Sequence, residues 1–175
     1  MKRSLSLCLP LVLAACASQP STPSVSVPDN LKPDASEARM SVLAARGVQI
    51  YECRAKKDDP AAADWAFVAP EAELFDMNGK TVGKHYAGPH WESSDGSKIV
   101  GAVKARADAP QAGAIPWLLL TTKSVGGAGA FSKVTSVQRV STTGGNAPGQ
   151  GCSTAMLGQK ARVAYTADYV LYAPK

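Results

Sequence analysis

The stretch VQIYEC at residues 48–53 decides the fold class of this chain. Its residues alternate in character, and alternation with a period of two predicts a β-strand with two different faces. The predicted faces are Val48, Ile50 and Glu52 on one side, and Gln49, Tyr51 and Cys53 on the other. A strand of this kind needs hydrogen-bonding partners, and the downstream sequence supplies them.

Short extended segments separated by turns make up the rest of the chain. The extended segments are 65–68, 74–77, 81–84, 85–92, 98–106, 115–122, 134–140 and 162–172. Asn78-Gly79 accepts positive φ at both turn positions and predicts a hairpin. Residues 94–96, 126–129 and 143–151 are rich in turn residues and are predicted to be loops. The last segment is predicted to place Val163, Tyr165, Ala167, Tyr169 and Leu171 on one face.

These segments predict an all-β fold, an antiparallel β-barrel or β-sandwich of about eight strands, with one short N-terminal helix. Ser36 is a suitable helix cap and Gly47 a suitable helix end, so the helix is predicted over residues 37–46. The domain organisation is predicted as a signal peptide over 1–15, a Pro/Ser-rich tether over 16–36, and one globular domain over 37–175.

The N-terminus has the pattern of an export signal. Met1-Lys2-Arg3 is cationic, and an uncharged, mostly apolar run follows it, too short for a stable membrane span. The run ends in Leu13-Ala14-Ala15-Cys16, which resembles the lipobox of bacterial lipoproteins. That resemblance implies cleavage before Cys16, a diacylglyceryl group on its thiol, and an acyl chain such as palmitate on the new amine. Ala17 and Ser18 differ from the Cys-Asp pattern of inner-membrane retention, so we expect anchoring to the outer membrane, on its periplasmic side.

The charge and the cysteine content of the chain indicate which partners and which disulfide to expect. The formal charge of +5 falls to about +3 once Lys2 and Arg3 are removed, and the basic residues are scattered, so we expect no nucleic-acid partner. With Cys8 cleaved and Cys16 acylated, Cys53 and Cys152 remain as a pair in an oxidising compartment and predict a disulfide. A redox or metal-binding pair is the alternative, although neither cysteine has a second one nearby as in C-x-x-C.

The globular domain resembles the domain of unknown function 3455, found in bacteria and fungi. The segments that carry the resemblance include residues 47–53, 67–72, 85–92, 95–97, 115–119, 137–140, 151–152 and 165–169. The resemblance covers about residues 45–174 and implies a secreted or surface-anchored domain without a settled activity. Some fungal relatives carry dehydrogenase names, but this chain has no G-x-G-x-x-G motif after a strand and no alternating βαβ pattern.

The segment HYAGPHWE at residues 85–92, with Asp95, is the best candidate site. It holds both histidines of the chain, and its candidate ligand-binding residues are His85, Tyr86, His90, Trp91, Glu92 and Asp95. His85 and His90 are also candidate ligands for a divalent metal, with Glu92 or a residue from another strand as a third ligand, provided that Gly88-Pro89 bends the chain. The alternative is structural: Tyr86 and Trp91 are core residues, His85 is a hydrogen-bonded strand residue, and His90 lies in a solvated turn.

Other motifs are weaker. No G-x-S-x-G nucleophile motif is present, and the Gly-rich residues 126–129 lack the Lys-Ser/Thr of a phosphate-binding loop. No catalytic residue or organic cofactor is therefore assigned. We expect a lipid-anchored, non-catalytic domain that binds an envelope protein, a cell-wall component or a small ligand. A small enzyme or metal-handling protein that uses His85, His90 and Glu92 is the alternative, and a purely structural surface protein is the third possibility.

The lipobox makes a prediction that mass spectrometry can check. Intact mass analysis of membrane-extracted protein should find acyl chains on Cys16 as the first residue. Cys16→Ser should leave the protein as an unprocessed precursor or release it in soluble form, because the thiol that receives the lipid is gone. A mature N-terminus at another position, without acyl chains, would refute the interpretation.

Overall fold

A computed structural model describes residues 25–175 as one closed barrel of eight antiparallel strands. The predicted signal peptide, Cys16 and the first part of the predicted tether lie outside the described residues. The strands are β1 (Glu37–Ala55), β2 (Ala63–Phe75), β3 (Thr81–Tyr86), β4 (His90–Ser93), β5 (Lys98–Ala107), β6 (Trp117–Ser124), β7 (Ser136–Gly144) and β8 (Lys160–Pro174). Each strand pairs with its neighbours in sequence, and β1 pairs with β8 to close the barrel. The all-β prediction is confirmed, and the architecture is the barrel.

The helix predicted over residues 37–46 is wrong, because these residues form the first half of β1. β1 pairs with β8 from Glu37↔Pro174 to Glu52↔Lys160 and with β2 from Ala44↔Phe75 onward. Pairing on both sides outweighs the weak helix propensity of this segment. Gly47 is not a helix end: a Cβ there would lie 2.1 Å from the Glu71 carbonyl oxygen of β2, so the close strand contact requires glycine.

The tether predicted over residues 16–36 ends earlier than expected, because residues 25–36 pack against the outside of the barrel. Asp29–Leu31 form a 3₁₀ turn, and Leu31 is fully buried. The Gln138 side chain donates a 2.6 Å hydrogen bond to the Leu31 carbonyl, and the Asn30 side chain donates to the Arg106 carbonyl at 3.0 Å. Around Leu31 lies an outer apolar cluster of Trp117, Leu119, Val140 and Val170. We call residues 25–36 the N-terminal segment.

One end of the barrel, the closed end, is filled by apolar side chains. The loops at this end are 76–80, 94–97 and 125–135. Phe131 and Val134, from the loop between β6 and β7, are buried against Ile99 and Val137. The predicted hairpin at Asn78-Gly79 is confirmed here, but only Gly79 has positive φ, at 77°. Asp76 closes this turn by accepting the amide protons of Asn78 and Lys80, so the loop is longer than the two-residue turn predicted.

The opposite end, the disulfide end, carries the loops 56–62, 87–89, 108–116 and 145–159. Cys53 of β1 and Cys152 of the last loop form a disulfide with a Cα–Cα distance of 5.4 Å, as predicted. The Trp65 indole donates to the Gln150 carbonyl at 2.9 Å, and the Tyr51 hydroxyl donates to the Gly145 carbonyl at 2.6 Å. Residues 145–159 are thereby held over this end at three points. Among residues 25–175, no helix has the length and apolar composition needed to cross a membrane.

The burial of Leu31 predicts that the N-terminal segment contributes to domain stability. Leu31→Ala should lower the free energy of unfolding by about 2–5 kcal/mol, as for other buried leucines. Leu157→Ala is the matched control, because Leu157 is 48% exposed and its truncation should cost far less. Denaturant unfolding measures both values. Equal, small effects of the two substitutions would show that the segment does not dock on the barrel.

Candidate functional site

The candidate segment 85–92 forms a hairpin of β3 and β4 with a tight turn at residues 87–89. Tyr86 pairs with His90, and His85 pairs with Trp91. The turn needs Gly88, whose φ is 130° and whose added Cβ would lie 2.0 Å from the His90 ring. Residues paired across the strands share a face, so the hairpin divides the predicted site in two.

His85 and His90 therefore lie on opposite faces, and the predicted shared metal site is not formed. His85 is 3% exposed inside the barrel, whereas His90 stacks on Tyr86 at the outer face, with ring centroids 5.4 Å apart. Each imidazole Nδ1 is also engaged by a carbonyl oxygen, that of His90 for His85 and that of Ala87 for His90. Among residues 25–175, no group of three or more His, Cys, Asp or Glu side chains is arranged to hold a metal ion.

On the inner face, His85 belongs to an aromatic cluster with Trp91 and Tyr169. The His85 ring stacks on Trp91 at 4.4 Å and meets Tyr169 edge-on at 4.9 Å. Because the His90 carbonyl accepts at 2.8 Å, Nδ1 of His85 carries the proton. Burial lowers the pKa of His85 to about 3, so its imidazole is neutral near pH 7. Both side chains are therefore buried, and the His85 imidazole is hydrogen-bonded within the strand pair.

On the outer face, Tyr86 and Glu92 form a solvated polar cluster with two lysines. The Tyr86 hydroxyl donates to Glu92 at 2.5 Å, and Lys84 and Lys98 lie 3.3 and 3.9 Å from the carboxylate. The Tyr86 hydrogen bond and the lysine charges hold the pKa of Glu92 below its usual value. Exposed ion pairs of this kind contribute little to stability. Tyr86 is not a core residue, which corrects the structural interpretation at that position.

Asp95 joins two loops at the closed end of the barrel by hydrogen bonds. Its Oδ1 accepts from the Ser97 hydroxyl at 2.6 Å and the Ser97 amide at 2.9 Å, and its Oδ2 accepts from the Ala130 amide at 2.7 Å. The Ser97 hydroxyl in turn accepts from the Phe131 amide at 3.0 Å. The bonds from Ser97 and Ala130 hold the pKa of Asp95 far below its usual value. Asp95 thus joins two loops at the closed end and lies away from the cavity described next.

A cavity of about 970 Å³ lies inside the barrel toward the disulfide end. Of the predicted site residues, only His85 and Trp91 line it. Most of the other polar and aromatic lining residues come from strands far apart in sequence: Gln49, Tyr51, Phe67, Arg106, Arg139 and Tyr169. Asn146 comes from the loop between β7 and β8. The sequence signal for this group was weak but present, because Gln49 and Tyr51 share the Cys53 face of β1, and Tyr169 lies on the apolar face of β8.

A lateral notch in the barrel wall opens this cavity. β3 pairs with β2 only from Ala72 onward, and β4 pairs with β5 only as far as Val100. Among residues 25–175, the segments 63–71 of β2 and 102–107 of β5 therefore have no strand partner on the sides that flank the short hairpin. Phe67 and Val103 pair with Tyr51 and Leu120, which face inward, yet they are 54% and 59% exposed. Inward-facing side chains reach solvent here because the wall is incomplete.

The cavity wall is mainly apolar and carries positive but no negative side chains among its described lining residues. Leu118, at the centre of one wall, pairs with Arg106 on β5 and with Arg139 on β7. Arg139 donates from Nε and Nη2 to the Pro116 carbonyl, at 3.0 and 2.8 Å. Burial raises the pKa values of Tyr51 and Tyr169, while the charge of Arg139 opposes the rise in both. Both phenols are consequently neutral hydroxyls near pH 7.

Two buried donors of the wall have no partner among residues 25–175. They are Nε2 of Gln49 and Nε1 of Trp91, whose residues are 2% and 1% exposed. A buried donor without an acceptor costs about 1–3 kcal/mol. Such groups are expected where a bound molecule supplies the acceptor.

Comparison with known proteins identifies one family. The family model described as "Protein of unknown function (DUF3455)" matches residues 33–173. No curated protein and no solved structure is significantly similar to this chain.

The low pKa of His85 predicts a pH-dependent stability. The folded state holds this imidazole neutral to about pH 3, whereas the unfolded chain takes up the proton near pH 6.5. The stability contribution is therefore fully present above pH 6.5 and is lost as the pH falls toward 3, at up to about 1.4 kcal/mol per pH unit.

Urea unfolding between pH 7 and pH 4 measures this slope. His85→Phe should show a shallower fall of stability with decreasing pH than the wild type. His90→Phe keeps His85 and should retain the wild-type slope. If His85→Phe and the wild type lose stability in parallel, the buried neutral state of His85 is refuted.

Proposed function

We propose that this chain, which belongs to the DUF3455 family of proteins of unknown function, forms a non-catalytic binding domain whose barrel takes up a small, largely apolar molecule. The observation that carries the proposal is the cavity of about 970 Å³ inside the barrel. Ligand-binding cavities in proteins are typically about 300–1,000 Å³, mostly apolar, with a few converging polar groups. Closed eight-stranded barrels have interiors of a size that holds one small ligand.

The lateral notch supports the proposal because it provides an entry route. The axial disulfide end is covered by residues 145–159, which are held by the disulfide, Tyr51 and Trp65. The notch has the β3–β4 turn at its base and exposed Phe67, Val68 and Val103 at its rim. An apolar rim is suited to a ligand that leaves an apolar environment, since the transfer does not expose its apolar surface to water.

We further propose that the protein is exported and anchored by a lipid on Cys16, to the outer membrane on its periplasmic side. Val25 is the ninth residue after Cys16, so covalent geometry limits the distance between them to about 30 Å. The N-terminal segment contacts the Arg106 carbonyl at the rim of the cavity. The anchor would therefore hold the cavity mouth close to the bilayer, which favours a ligand that comes from the membrane over a cell-wall polymer or an envelope protein.

A neutral fluorescent probe tests the binding function. N-phenyl-1-naphthylamine should bind the wild type saturably, with one site per chain. Leu118→Trp should weaken binding about tenfold or more, because Leu118 lines the cavity and overpacking an occupied site costs about 1–3 kcal/mol. Thr121→Trp, three residues further along β6 and exposed on the outer face, is the size-matched control and should bind normally.

Thermal unfolding of both variants shows whether the barrel remains folded. Absence of saturable binding to the folded wild type would overturn the proposed function. Equal binding by wild type and Leu118→Trp would place the probe outside the cavity and overturn it as well.

A further inference from the structure

We infer that the ligand of the barrel is an amphiphile with an apolar chain and an anionic head group, a carboxylate or a phosphate, bound by Arg139 and Arg106. This inference rests on the proposed function and deepens it, because it assigns a chemical class to the ligand. Carboxylates and phosphates both carry closely spaced anionic oxygens, and a guanidinium can bind two such oxygens with parallel hydrogen bonds.

Arg139 is a half-buried cation in the cavity wall. A guanidinium has five N–H donors, and Arg139 uses two of them on one neutral acceptor, the Pro116 carbonyl. Among residues 25–175, Arg139 forms no ion pair. A charge removed from water needs a counter-charge or several hydrogen bonds, so the site favours an anion.

Arg106 adds a second cation on the same wall. The pairs Arg106↔Leu118 and Leu118↔Arg139 place the two arginines on either side of one leucine, with backbones about 10 Å apart for two strand spacings. The Arg106 side chain also forms no ion pair among the described residues, and no aspartate or glutamate is among those that line the cavity. Two like charges without a carboxylate create a positive potential at the mouth.

The position of the arginines along the barrel sets the orientation of the ligand. Arg139 and Leu118 form one row across β6 and β7, and Val137 and Leu120 form the next row toward the closed end. Below the arginine row the cavity wall includes Leu120 and Trp91. An amphiphile would place its chain against these side chains and leave its head at the arginine row, beside the exposed Arg106.

Gln49 on β1, two strands away from Arg139 in the closed barrel, provides an independent observation. Its side chain is 2% exposed, lines the same cavity, and has no partner for Nε2 among the described residues. An amide N–H donor requires an acceptor oxygen, and an anionic head group supplies several. A purely apolar ligand would leave both the amide and the guanidinium unsatisfied.

Competition against N-phenyl-1-naphthylamine on the full chain tests the inference with twelve-carbon probes that differ only in the head group. Dodecanoate and dodecyl phosphate should displace the dye at lower concentrations than dodecanol or dodecylammonium. Arg139→Met should weaken dodecanoate binding about 10- to 100-fold, since hydrogen bonds to charged groups contribute about 1.5–3 kcal/mol. Arg106→Met should weaken it about two- to fivefold, as for an exposed charge.

Arg162→Met is the matched control, because Arg162 pairs with Glu71 on the outer surface and its loss changes the net charge equally. It should bind dodecanoate as the wild type does. If Arg139→Met fails to fold, Arg106→Met decides, because the Arg106 side chain makes no hydrogen bond in the described structure. If Arg139→Met weakens the binding of dodecyl phosphate more than that of dodecanoate, the head group is a phosphate. If it weakens the binding of dodecanoate more, the head group is a carboxylate.

Equal displacement by dodecanol and dodecanoate, with no effect of either arginine substitution, would overturn the anionic head group and leave apolar binding intact. Failure of all four probes to displace bound dye would overturn the amphiphile class. Failure of the dye itself to bind the folded wild type would instead overturn the proposed function.

Discussion

Pairing of β1 with β8 closes the barrel and so determines where every other strand lies. The two strands are hydrogen-bonded from Glu37↔Pro174 to Glu52↔Lys160, and this pairing converts an eight-stranded meander into a closed barrel. Closure removes the two free edges that an open sheet would expose along β1 and β8. It also brings Gln49 and Tyr169 into one interior, although they are far apart in sequence. The disulfide from Cys53 secures the same seam at one end.

Within the closed barrel, the unequal lengths of the strands create the site. β1, with 19 residues, and β8, with 15, extend well beyond the six residues of β3 and the four of β4. The short β3–β4 hairpin completes the barrel wall near the closed end, where Phe131 and Val134 fill the interior. Nearer the disulfide end it leaves the lateral notch in the wall. Packing and binding are thereby separated along the barrel axis. Asp95 joins two loops at the closed end, and Arg139 lies in the cavity wall toward the disulfide end.

The strands were predictable from the sequence because side-chain alternation is a local property. The faces assigned to residues 48–53 and to β8 from Tyr165 to Leu171 agree with the burial of the structure. The helix over 37–46 was mispredicted because a local preference competed with pairing partners more than 100 residues away in β8. The site was largely missed for the same reason. His85 and His90 are close in sequence but separated by the sheet, whereas Arg106 and Arg139 are distant in sequence and neighbours across Leu118.

The indole N–H groups of the three tryptophans can report whether a ligand occupies the barrel interior. Among residues 25–175, Nε1 of Trp91 in the cavity wall and Nε1 of Trp117 in the outer cluster have no hydrogen-bond partner. The Trp65 indole donates to the Gln150 carbonyl. In a two-dimensional ¹H–¹⁵N NMR titration with N-phenyl-1-naphthylamine, the Trp91 indole resonance should shift saturably. The Trp117 and Trp65 resonances should stay in place. A stationary Trp91 signal at saturating ligand, or shifts confined to Trp117 or Trp65, would contradict the account.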